Sequence, residues 1–540
     1  MRTTAAAPLA ARAASARRPN VVLILTDDQG YGDLGIHGNP YIRTPNMDRI
    51  GREGVQFTRF HVSPVCSPTR SSLMTGRYNY RTSVVDTYLG RSNLHPDEIT
   101  MAQIFRAAGY RTGIFGKWHL GDNYPMRATD RGWDTSIVHR GGGLSQPSGV
   151  PNEGYFDPVL LYDGVARKAS GYCTDIFASA AIEFIEKHRD RPFLAYLATN
   201  APHQPLEIDE RYVAPYRAAG VNEWDAKVYG MVTNIDDNIG RLLARLRELK
   251  IEDNTIVIFM TDNGPDRSRF NGGMRGLKGS VYEGGIRVPF FLRWPSRLKP
   301  GRVGRLAAHI DVLPTLAEAC GVPLPKNVIL DGRSLMPLLT GQNAAWPDRN
   351  LFFQWHRGDV PEPFRNACVI NQRYKLVDGK ELYDLESDPA ESRDVAASDP
   401  GRVKSMRRAY EEWFRDVSST RGYDPPPIYL GTKFENPVRL TRQDLRGPDA
   451  SWKTSGRGHW VVDVRTPGEY EITFDFPPRD TAGTATVRLA GAEARTGLQP
   501  RARGCVFERL RLEAGLTRLE ATLDFAGKPA GPEYVEVRKL

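Results

Sequence analysis

The sequence predicts a layered α/β domain followed by a small β-rich module, and three observations support this fold class. Continuous apolar runs at residues 21–25, 193–198 and 255–260 are typical of strands that are buried on both faces of a sheet. Helical patterns lie between these runs, over residues 101–108, 174–188 and 227–249. Strands that alternate with helices indicate layers of helix on sheet. Beyond residue 427 the pattern changes to short strand-like segments, which indicates an antiparallel β module of the sandwich type.

The 540 residues exceed what one ordinary core accommodates, so we expect two or three structural units. An Ala-rich leader spans residues 1–19, and the main α/β domain spans residues 20–345. A smaller α+β subdomain spans residues 346–424, with aromatic strand patterns followed by a helix around residues 403–417. Three prolines begin a stiff linker that, together with the β module, spans residues 425–540.

Composition excludes several classes of protein. A hydrophobic content of 40% and a charged content of 25% fit a globular protein, and no apolar run is long enough to span a bilayer, so we expect no membrane anchor. The net charge of +9, from 73 basic and 64 acidic residues, is modest, and no basic stripe or binding motif points to nucleic acid. The five scattered cysteines form neither a disulfide framework nor a CxxC metal motif.

Acidic and amide side chains follow two of the predicted strands directly. Asp27 and Asp28 come after the first strand, and Asp262 and Asn263 follow the strand at 255–260. An isolated Asp-Asp pair would be an ordinary turn, but the repeated arrangement supplies oxygen ligands of the kind that Ca²⁺ and Mg²⁺ prefer. The carboxyl ends of strands are also where open α/β sheets place their sites. We therefore expect one divalent cation there.

Four further strings carry reactive or charged side chains. Cys66-Ser-Pro-Thr-Arg70 lies within PVCSPTRSSLMTG, and Lys117-Trp-His119 closes the string GYRTGIFGKWH. His203 follows the strand at 193–198, and Lys278 lies in GLKGSVYEGGIRVP. Each string alone fits a turn or a buried loop, and only their combination is specific.

Together these strings resemble the signatures of the type I, formylglycine-dependent sulfatases of the alkaline phosphatase-like superfamily. The resemblance spans residues 20–420, includes the string ELYDLESDPAE at 381–391, and leaves out the β module. It implies an alkaline phosphatase-like layered sheet domain with a smaller C-terminal subdomain. It also implies that Cys66 is oxidised by a formylglycine-generating maturation enzyme, and that Asp27, Asp28, Asp262, Asn263 and residue 66 bind one cation, usually Ca²⁺. Bacterial members often act outside the cytoplasm, so we expect a periplasmic or secreted protein, although the leader is a weak export signal.

The resemblance also implies the chemistry. One hydroxyl of the formylglycine hydrate attacks sulfur and forms a covalent sulfo-enzyme, and deprotonation of the other hydroxyl expels sulfate. His119 would be the base for that elimination, and Arg70 would stabilise the hydrate. His203 and Lys278 would assist the leaving oxygen, Asp262 would help to activate the nucleophile, and Lys117 would offset the charge of the sulfate. The substrate would be an aryl sulfate or a sulfated carbohydrate.

Two alternatives stay open from the sequence. The first is a phosphonate monoester or phosphodiester hydrolase of the same superfamily, in which His tends to stand at the position of Asn263. The second is a non-catalytic protein that binds sulfated glycans through the cleft and the β module. For Trp452, Trp460 and Tyr470 of that module we favour packing against the main domain over glycan binding. The glycine-rich loop at 141–143 and the string at 355–357 are candidates for the rim of the pocket.

Overall fold

The computed structural model describes residues 18–149, 153–341 and 346–540, so most of the expected leader, 1–17, lies outside the described residues. The strands of the main domain are β1 Asn20–Thr26, β2 Val55–Phe57, β3 Phe60–His61, β4 Arg111–Lys117, β5 Thr135–His139, β6 Val159–Tyr162, β7 Val165–Lys168, β8 Phe193–Ala198, β9 Thr255–Thr261, β10 Arg287–Val288, β11 Phe290–Arg293, β12 Gly301–Val303 and β13 Ala307–Ala308. Its helices are α1 Pro45–Glu53, α2 Cys66–Thr75, α3 Met101–Ala107, α4 Cys173–His188, α5 Glu210–Ala218, α6 Glu223–Glu248, α7 Glu283–Ile286, α8 Val312–Cys320 and α9 Met336–Leu339.

One large sheet organises this domain, with strand order β12-β2-β11-β9-β1-β8-β4-β5-β6-β7. The central strands β9, β1, β8 and β4 run parallel, so their carboxyl ends share one edge. Along β1, Val21, Leu23 and Leu25 contribute to one apolar core, while Val22 and Ile24 contribute to a second core on the other face. A strand that is buried on both faces explains the continuous apolar run in the sequence. The predicted layered α/β fold is confirmed.

The second region builds a four-stranded antiparallel sheet from β14 Leu351–Gln354, β15 Ala367–Ile370, β16 Tyr374–Val377 and β17 Glu381–Asp384, followed by α10 Pro400–Ser418. Its apolar core continues into the main domain, because Tyr78, Tyr80 and Ile286 pack in the same cluster as Phe353 and Tyr410.

The C-terminal region is β-rich, as predicted. Its strands are β18 Ile428–Leu430, β19 Val438–Thr441, β20 His459–Val464, β21 Gly468–Asp475, β22 Gly483–Leu489, β23 Ala492–Leu498, β24 Gly504–Leu512, β25 Gly515–Phe525, β26 Lys528–Ala530 and β27 Tyr534–Lys539. They form two sheets, ordered β18-β20-β25-β22-β23, with β26 beside β25, and β19-β27-β21-β24. One detail differs from the expectation of antiparallel strands, because β18 pairs with β20 in parallel.

Two of the three aromatic residues named for this module correct a second expectation, whereas Trp452 packs on Tyr88 of the main domain, as expected. Trp460 and Tyr470 are fully buried in the core of the module itself rather than at a surface against the main domain. The Trp460 indole donates to the Thr441 carbonyl at 2.7 Å, which satisfies its polar atom inside that core. The main domain nevertheless reaches this core, because Leu89 and Met126 pack within it.

Within the described residues, no helix combines the length and the apolar character that crossing a membrane requires.

Candidate active site

The sheet brings the strand-end side chains together at one edge. β1 ends at Thr26 and is followed by Asp27 and Asp28, and its neighbour β9 is followed by Asp262 and Asn263. β4 ends at Lys117, and the loop after β8 carries His203. Parallel strands place their carboxyl ends side by side, which is why residues far apart in sequence meet here. The adjoining helix α2 begins at Cys66.

Asp27, Asp28, Cys66 and Asp262 form a compact buried cluster. Each of these residues offers one ligand atom, and the four atoms lie within 4.8 Å of one another. The Asn263 amide nitrogen donates to Asp28 at 2.7 Å, while its Oδ1 is buried without a hydrogen-bond partner among the described residues. A buried acceptor with no donor beside three carboxylates is the arrangement that a cation would satisfy. The donor set therefore fits a hard divalent metal ion.

Asp28 adopts an unusual backbone conformation, with φ of 59°. A non-glycine residue in the left-handed region carries strain that persists only where the surroundings impose it, and such residues concentrate at functional sites. His119 shares this feature, with φ of 58°.

Three cationic side chains surround the carboxylates. Arg70 donates from Nε and Nη2 to Asp262 Oδ2, at 3.1 and 2.8 Å. The Lys117 ammonium donates to Asp27, and the Lys278 Nζ lies 2.6 Å from Asp28 Oδ1. Lys117 is fully buried, whereas Lys278 is 20% exposed and lines the open side of the site. These pairs place positive charge directly against the buried carboxylates.

The ionisation of Asp27 shows the strength of these pairs. Burial alone would raise its pKa, but Lys117, His203, Arg70 and Lys278 outweigh burial and lower the pKa below its ordinary value of 3.8. Asp27 is therefore an anion in the folded protein, as a metal ligand must be.

The pKa of Cys66 is shifted in the opposite direction from that of Asp27. Its thiol is 2% exposed, and burial together with Asp27 raises its pKa to about 12, although Lys117 and Lys278 oppose the shift. Only the thiolate is a strong nucleophile, so an unmodified Cys66 is poorly suited to attack.

His119 is held in one tautomer. Its Nε2 lies 2.8 Å from the Thr87 carbonyl oxygen, which can only accept, so Nε2 carries the hydrogen. Its Nδ1 is buried and has no partner among the described residues. Burial and the neighbouring Lys117 lower the His119 pKa well below 6.5, so the ring is neutral near pH 7. Nδ1 is thus a free proton acceptor.

His203 also lies close to the cluster. Its Nδ1 lies 2.7 Å from the Gln204 carbonyl oxygen, which fixes the hydrogen on Nδ1, and its Nε2 lies 3.9 Å from Asp28 Oδ2. Burial and Lys278 lower its pKa from 6.5, although Asp28 and Asp27 oppose the shift.

A pocket of about 320 Å³ opens onto this cluster. Cys66, His119, His203 and Lys278 line its floor, so the structure brings the sequence-predicted residues to one cavity. Its walls are formed by Val65, Thr87, Gly142, Gln146, Asp266, Gly279, Trp355, Arg357 and Trp452. No signal in the sequence indicates that Thr87 and Asp266 line the pocket, because both lie in loops without any motif. The same holds for the place of Trp452 in the pocket.

Several sequence candidates lie elsewhere. His356 does not line the pocket: its Nδ1 lies 3.0 Å from the Arg357 carbonyl and its Nε2 accepts from the Glu362 amide. Asp311 binds Arg349 and accepts from the Ala308 amide, so its role is structural. The rim candidates Trp355 and Arg357, and the loop after Gly141, do reach the pocket.

Comparison with known proteins identifies relatives. A family model described as Sulfatase matches residues 19–322, and a model described as N-sulphoglucosamine sulphohydrolase, C-terminal, matches residues 277–413. Human arylsulfatase A is 32% identical, over 77% of this chain and 87% of its own length. N-acetylgalactosamine-6-O-sulfatase of Bacteroides thetaiotaomicron is 28% identical, over 74% of this chain and 93% of its own. The crystal structure of Ps i-CgsB in complex with k-i-k-neocarrahexaose has a TM-score of 0.69 and 28% identity, covering 76% of this chain and 95% of that one.

Proposed function

This chain belongs to the sulfatase family and is a sulfuric ester hydrolase, and we propose that it works through a formylglycine derived from Cys66 and one Ca²⁺. The observation that supports this most is the cluster of Asp27, Asp28, Cys66 and Asp262, with three cationic side chains around it. Ca²⁺ prefers oxygen ligands, and conversion of Cys66 would replace the sulfur in the cluster with oxygen. Asn263 Oδ1, which is otherwise unpaired, would complete the ligand set.

The metal ion would supply positive charge, and the formylglycine would supply the nucleophile. A bound divalent cation offsets the negative charge of the sulfate oxygens, and the hydrate of a formylglycine at position 66 supplies a hydroxyl that can attack sulfur. The protein's own residues do the remaining work.

The cationic side chains act on charge. Lys278 faces the pocket, so its ammonium can contact the sulfate directly. Lys117 and Arg70 are buried, where they pair with Asp27 and Asp262 and add to the positive potential. A low-dielectric, preorganised environment makes such groups effective against developing negative charge.

The two histidines act on different protons of the reaction. Nδ1 of His119 is the free, neutral acceptor and can take the proton of a hydroxyl on residue 66. His203 lines the pocket near Lys278, and because its Nδ1 holds the hydrogen of the neutral ring, Nε2 can donate to the oxygen of the departing alcohol only after it has gained a proton, which Asp28 and Asp27 favour. Each transfer of this kind typically contributes about 10²–10⁴-fold in rate.

For the substrate we propose a sulfated sugar. One relative is named as a sulfatase of N-acetylgalactosamine, and a structural relative was crystallised with a neocarrahexaose. Tryptophans and polar groups on the pocket walls suit a sugar ring, which packs its apolar face on indole and offers hydroxyls to polar atoms. We assign catalysis to residues 20–345, with 346–424 and 425–540 as further units, and we place the protein in the periplasm or outside the cell.

The maturation enzyme would have to act before folding finishes. Every residue of α2 is buried, and the Cys66 thiol is 2% exposed, so a second enzyme cannot reach it in the native protein.

The test compares protein produced with and without a formylglycine-generating enzyme. We expect peptide mass spectrometry to show the loss of mass that conversion of CH₂–SH to an aldehyde requires, and kcat for an aryl sulfate to scale with the converted fraction. Cys66→Ala should abolish turnover, while Cys505→Ser, which alters a cysteine of the β module, should not. Full activity in a sample whose residue 66 is entirely a thiol would overturn the proposal.

A further inference from the structure

We propose that Trp452 and Arg357 form a subsite beside the scissile sulfate for a sugar ring that carries a second anionic group, either a sulfate or a carboxylate. The inference rests on the proposed function and extends it, since it assigns substrate recognition to two units outside the main domain. Trp452 belongs to the C-terminal module, and Arg357 follows β14. Both line the same pocket as Cys66.

The pocket wall is aromatic on two sides. The six-membered ring of Trp355 lies directly against Gly279, the neighbour of Lys278: a Cβ placed on Gly279 would come within 2.8 Å of the Trp355 ring. Trp452 packs edge-to-face on Tyr88, with ring centroids 5.1 Å apart. Both indoles are only partly buried and contribute to the lining, so each offers apolar surface to a ligand. Such surfaces suit the carbon face of a pyranose ring.

Arg357 presents a guanidinium that its neighbours satisfy only in part. Its Nη1 donates to Asp86 Oδ1 at 2.9 Å and to Thr87 Oγ1 at 3.3 Å. The group stacks over Tyr88, 4.4 Å from the ring centroid, which fixes its plane. Nε and Nη2 have no hydrogen-bond partner among the described residues, and the side chain is 54% exposed. A planar, half-free guanidinium is suited to bind a sulfate or carboxylate through two hydrogen bonds.

The charge around Arg357 is positive on balance. Arg91, Arg357 and Arg446 are paired with only two carboxylates, Asp86 and Asp359. Arg91 contacts both carboxylates, Arg446 contacts Asp359, and Arg357 contacts Asp86, so these five side chains together carry one net positive charge.

A second part of the pocket wall, at Asp266, is acidic. Asp266 accepts from Gln204 and pairs with Arg269, and its carboxylate also lines the pocket. It would repel an anion and accept hydrogen bonds from hydroxyls. The two walls therefore orient a ring with its second anion at Arg357 and its hydroxyls at Asp266.

The loop at 86–88 connects this subsite to the chemistry. Asp86 accepts from Trp355 at 3.1 Å as well as from Arg357. The Thr87 carbonyl accepts from His119 and, at 3.0 Å, from Gln443 of the C-terminal module. The module thus holds the backbone that orients His119 and also places Trp452 over the pocket. This shared loop is the reason to regard the module as part of the active site.

The experiment measures kcat/KM for three matched pyranosides: one with a single sulfate, one with a second sulfate, and one with a sulfate and a carboxylate. We expect the wild type to prefer one or both doubly charged sugars, and the preferred one identifies the anion. Arg357→Ala should lower the ratio of kcat/KM for the doubly over the singly charged sugar by about 10- to 100-fold, since a hydrogen bond to a charged group is lost. Arg357→Lys keeps the charge and the pairing with Asp86, and should restore part of that ratio.

Trp452→Ala should lower kcat/KM for all three sugars by about tenfold, through loss of ring packing. Two changes at exposed sites of the same module serve as controls, Arg495→Ala and Phe434→Ala, and should leave all values unchanged. No preference of the wild type for a second anion, or an unchanged ratio in Arg357→Ala, would overturn the inference. Failure of converted wild-type enzyme to hydrolyse even a simple aryl sulfate would instead overturn the proposed function.

Discussion

The hydrogen bond from His119 to the Thr87 carbonyl decides which ring nitrogen can accept a proton. Because a carbonyl only accepts, Nε2 keeps its hydrogen and Nδ1 is free. The left-handed backbone of His119 holds the ring in this position at a cost in strain, which is typical of a residue selected for its chemistry.

We expect His119→Ala to lower kcat for sulfate ester hydrolysis by about 10²–10⁴-fold, because the step then lacks its proton acceptor. Steady-state kinetics with an aryl sulfate measure this, with thermal unfolding to confirm that the variant folds. His188→Ala, at the end of α4, is the matched control and should retain activity. A kcat near the wild-type value in His119→Ala would remove the residue from the mechanism.

The sequence predicts individual site residues where they lie in recognisable motifs, and it gives no signal for the others. Cys66, Lys117, His119, His203 and Lys278 were all predicted, because each lies in a string with a recognisable pattern. Thr87 was not predicted, because it contributes only a backbone carbonyl, which any residue can supply. His356 looked equivalent to Arg357 in sequence, yet its ring bonds within its own loop.

At the scale of elements, the junction between the main domain and the β module buries carboxyl groups. Asp444 ends a 3-10 turn after β19 and accepts from Asn93 of the main domain at 2.8 Å. Burial, together with the nearby Asp122, raises the pKa of Asp444 to about 7, although Asn93 and Arg140 oppose the shift. The folded state therefore holds a proton on Asp444 at a pH where the unfolded chain has lost it.

The sign of the pH dependence follows from this shift. Between the ordinary pKa of 3.8 and the folded value of about 7, the native state binds more protons than the unfolded state, so stability falls as pH rises through this window. We expect the Asp444→Asn variant, which cannot ionise at this position, to lose less stability than the wild type as the pH rises. Its thermal midpoint relative to wild type should rise by about 2 °C or more between pH 5 and pH 8.

Thermal unfolding at the two pH values checks this prediction. Asp480→Asn changes a carboxylate that is 88% exposed, and should shift the midpoint equally at both pH values. A difference between Asp444→Asn and wild type that is the same at pH 5 and pH 8 would contradict the assignment.

Strands and helices can be predicted from the sequence where buried and exposed residues follow a regular pattern along the chain. β8 matches the expected bounds, β1 is longer by one residue at each end and β9 by one residue at its end, because continuous apolar runs indicate burial on both faces. The short strands β6, β7 and β12, at or next to the edges of the sheet, were not predicted, and β7 for example is exposed throughout and has no apolar period. The parallel pairing of β18 with β20 depends on contacts far apart in sequence, which local patterns do not encode.

At the scale of the whole molecule, the three units share cores rather than only surfaces. Leu89 and Met126 of the main domain pack inside the core of the β module, and Tyr78 and Tyr80 pack with Trp413 of the second region. Gln443 and Tyr534 add hydrogen bonds from the module to Thr87 and Gly149. Separate cores would permit separate unfolding, whereas shared cores couple the units.

We therefore expect one cooperative transition when the full-length protein is heated, followed both by calorimetry and by loss of aryl sulfate hydrolysis at the same temperature. Two resolved calorimetric transitions, with activity lost only in the second, would show that the β module unfolds as an independent appendage. That outcome would also weaken the case for Trp452 as part of the pocket.

We propose that this site hydrolyses sulfate esters with a nucleophile made from Cys66. The most direct measurement is kcat/KM for an aryl sulfate and an aryl phosphonate monoester with the same leaving group, using protein co-produced with a formylglycine-generating enzyme and supplied with Ca²⁺. We expect a strong preference for the sulfate, since residue 263 is Asn rather than His. Preference for the phosphonate would contradict the account and would identify the site as that of a phosphonate hydrolase.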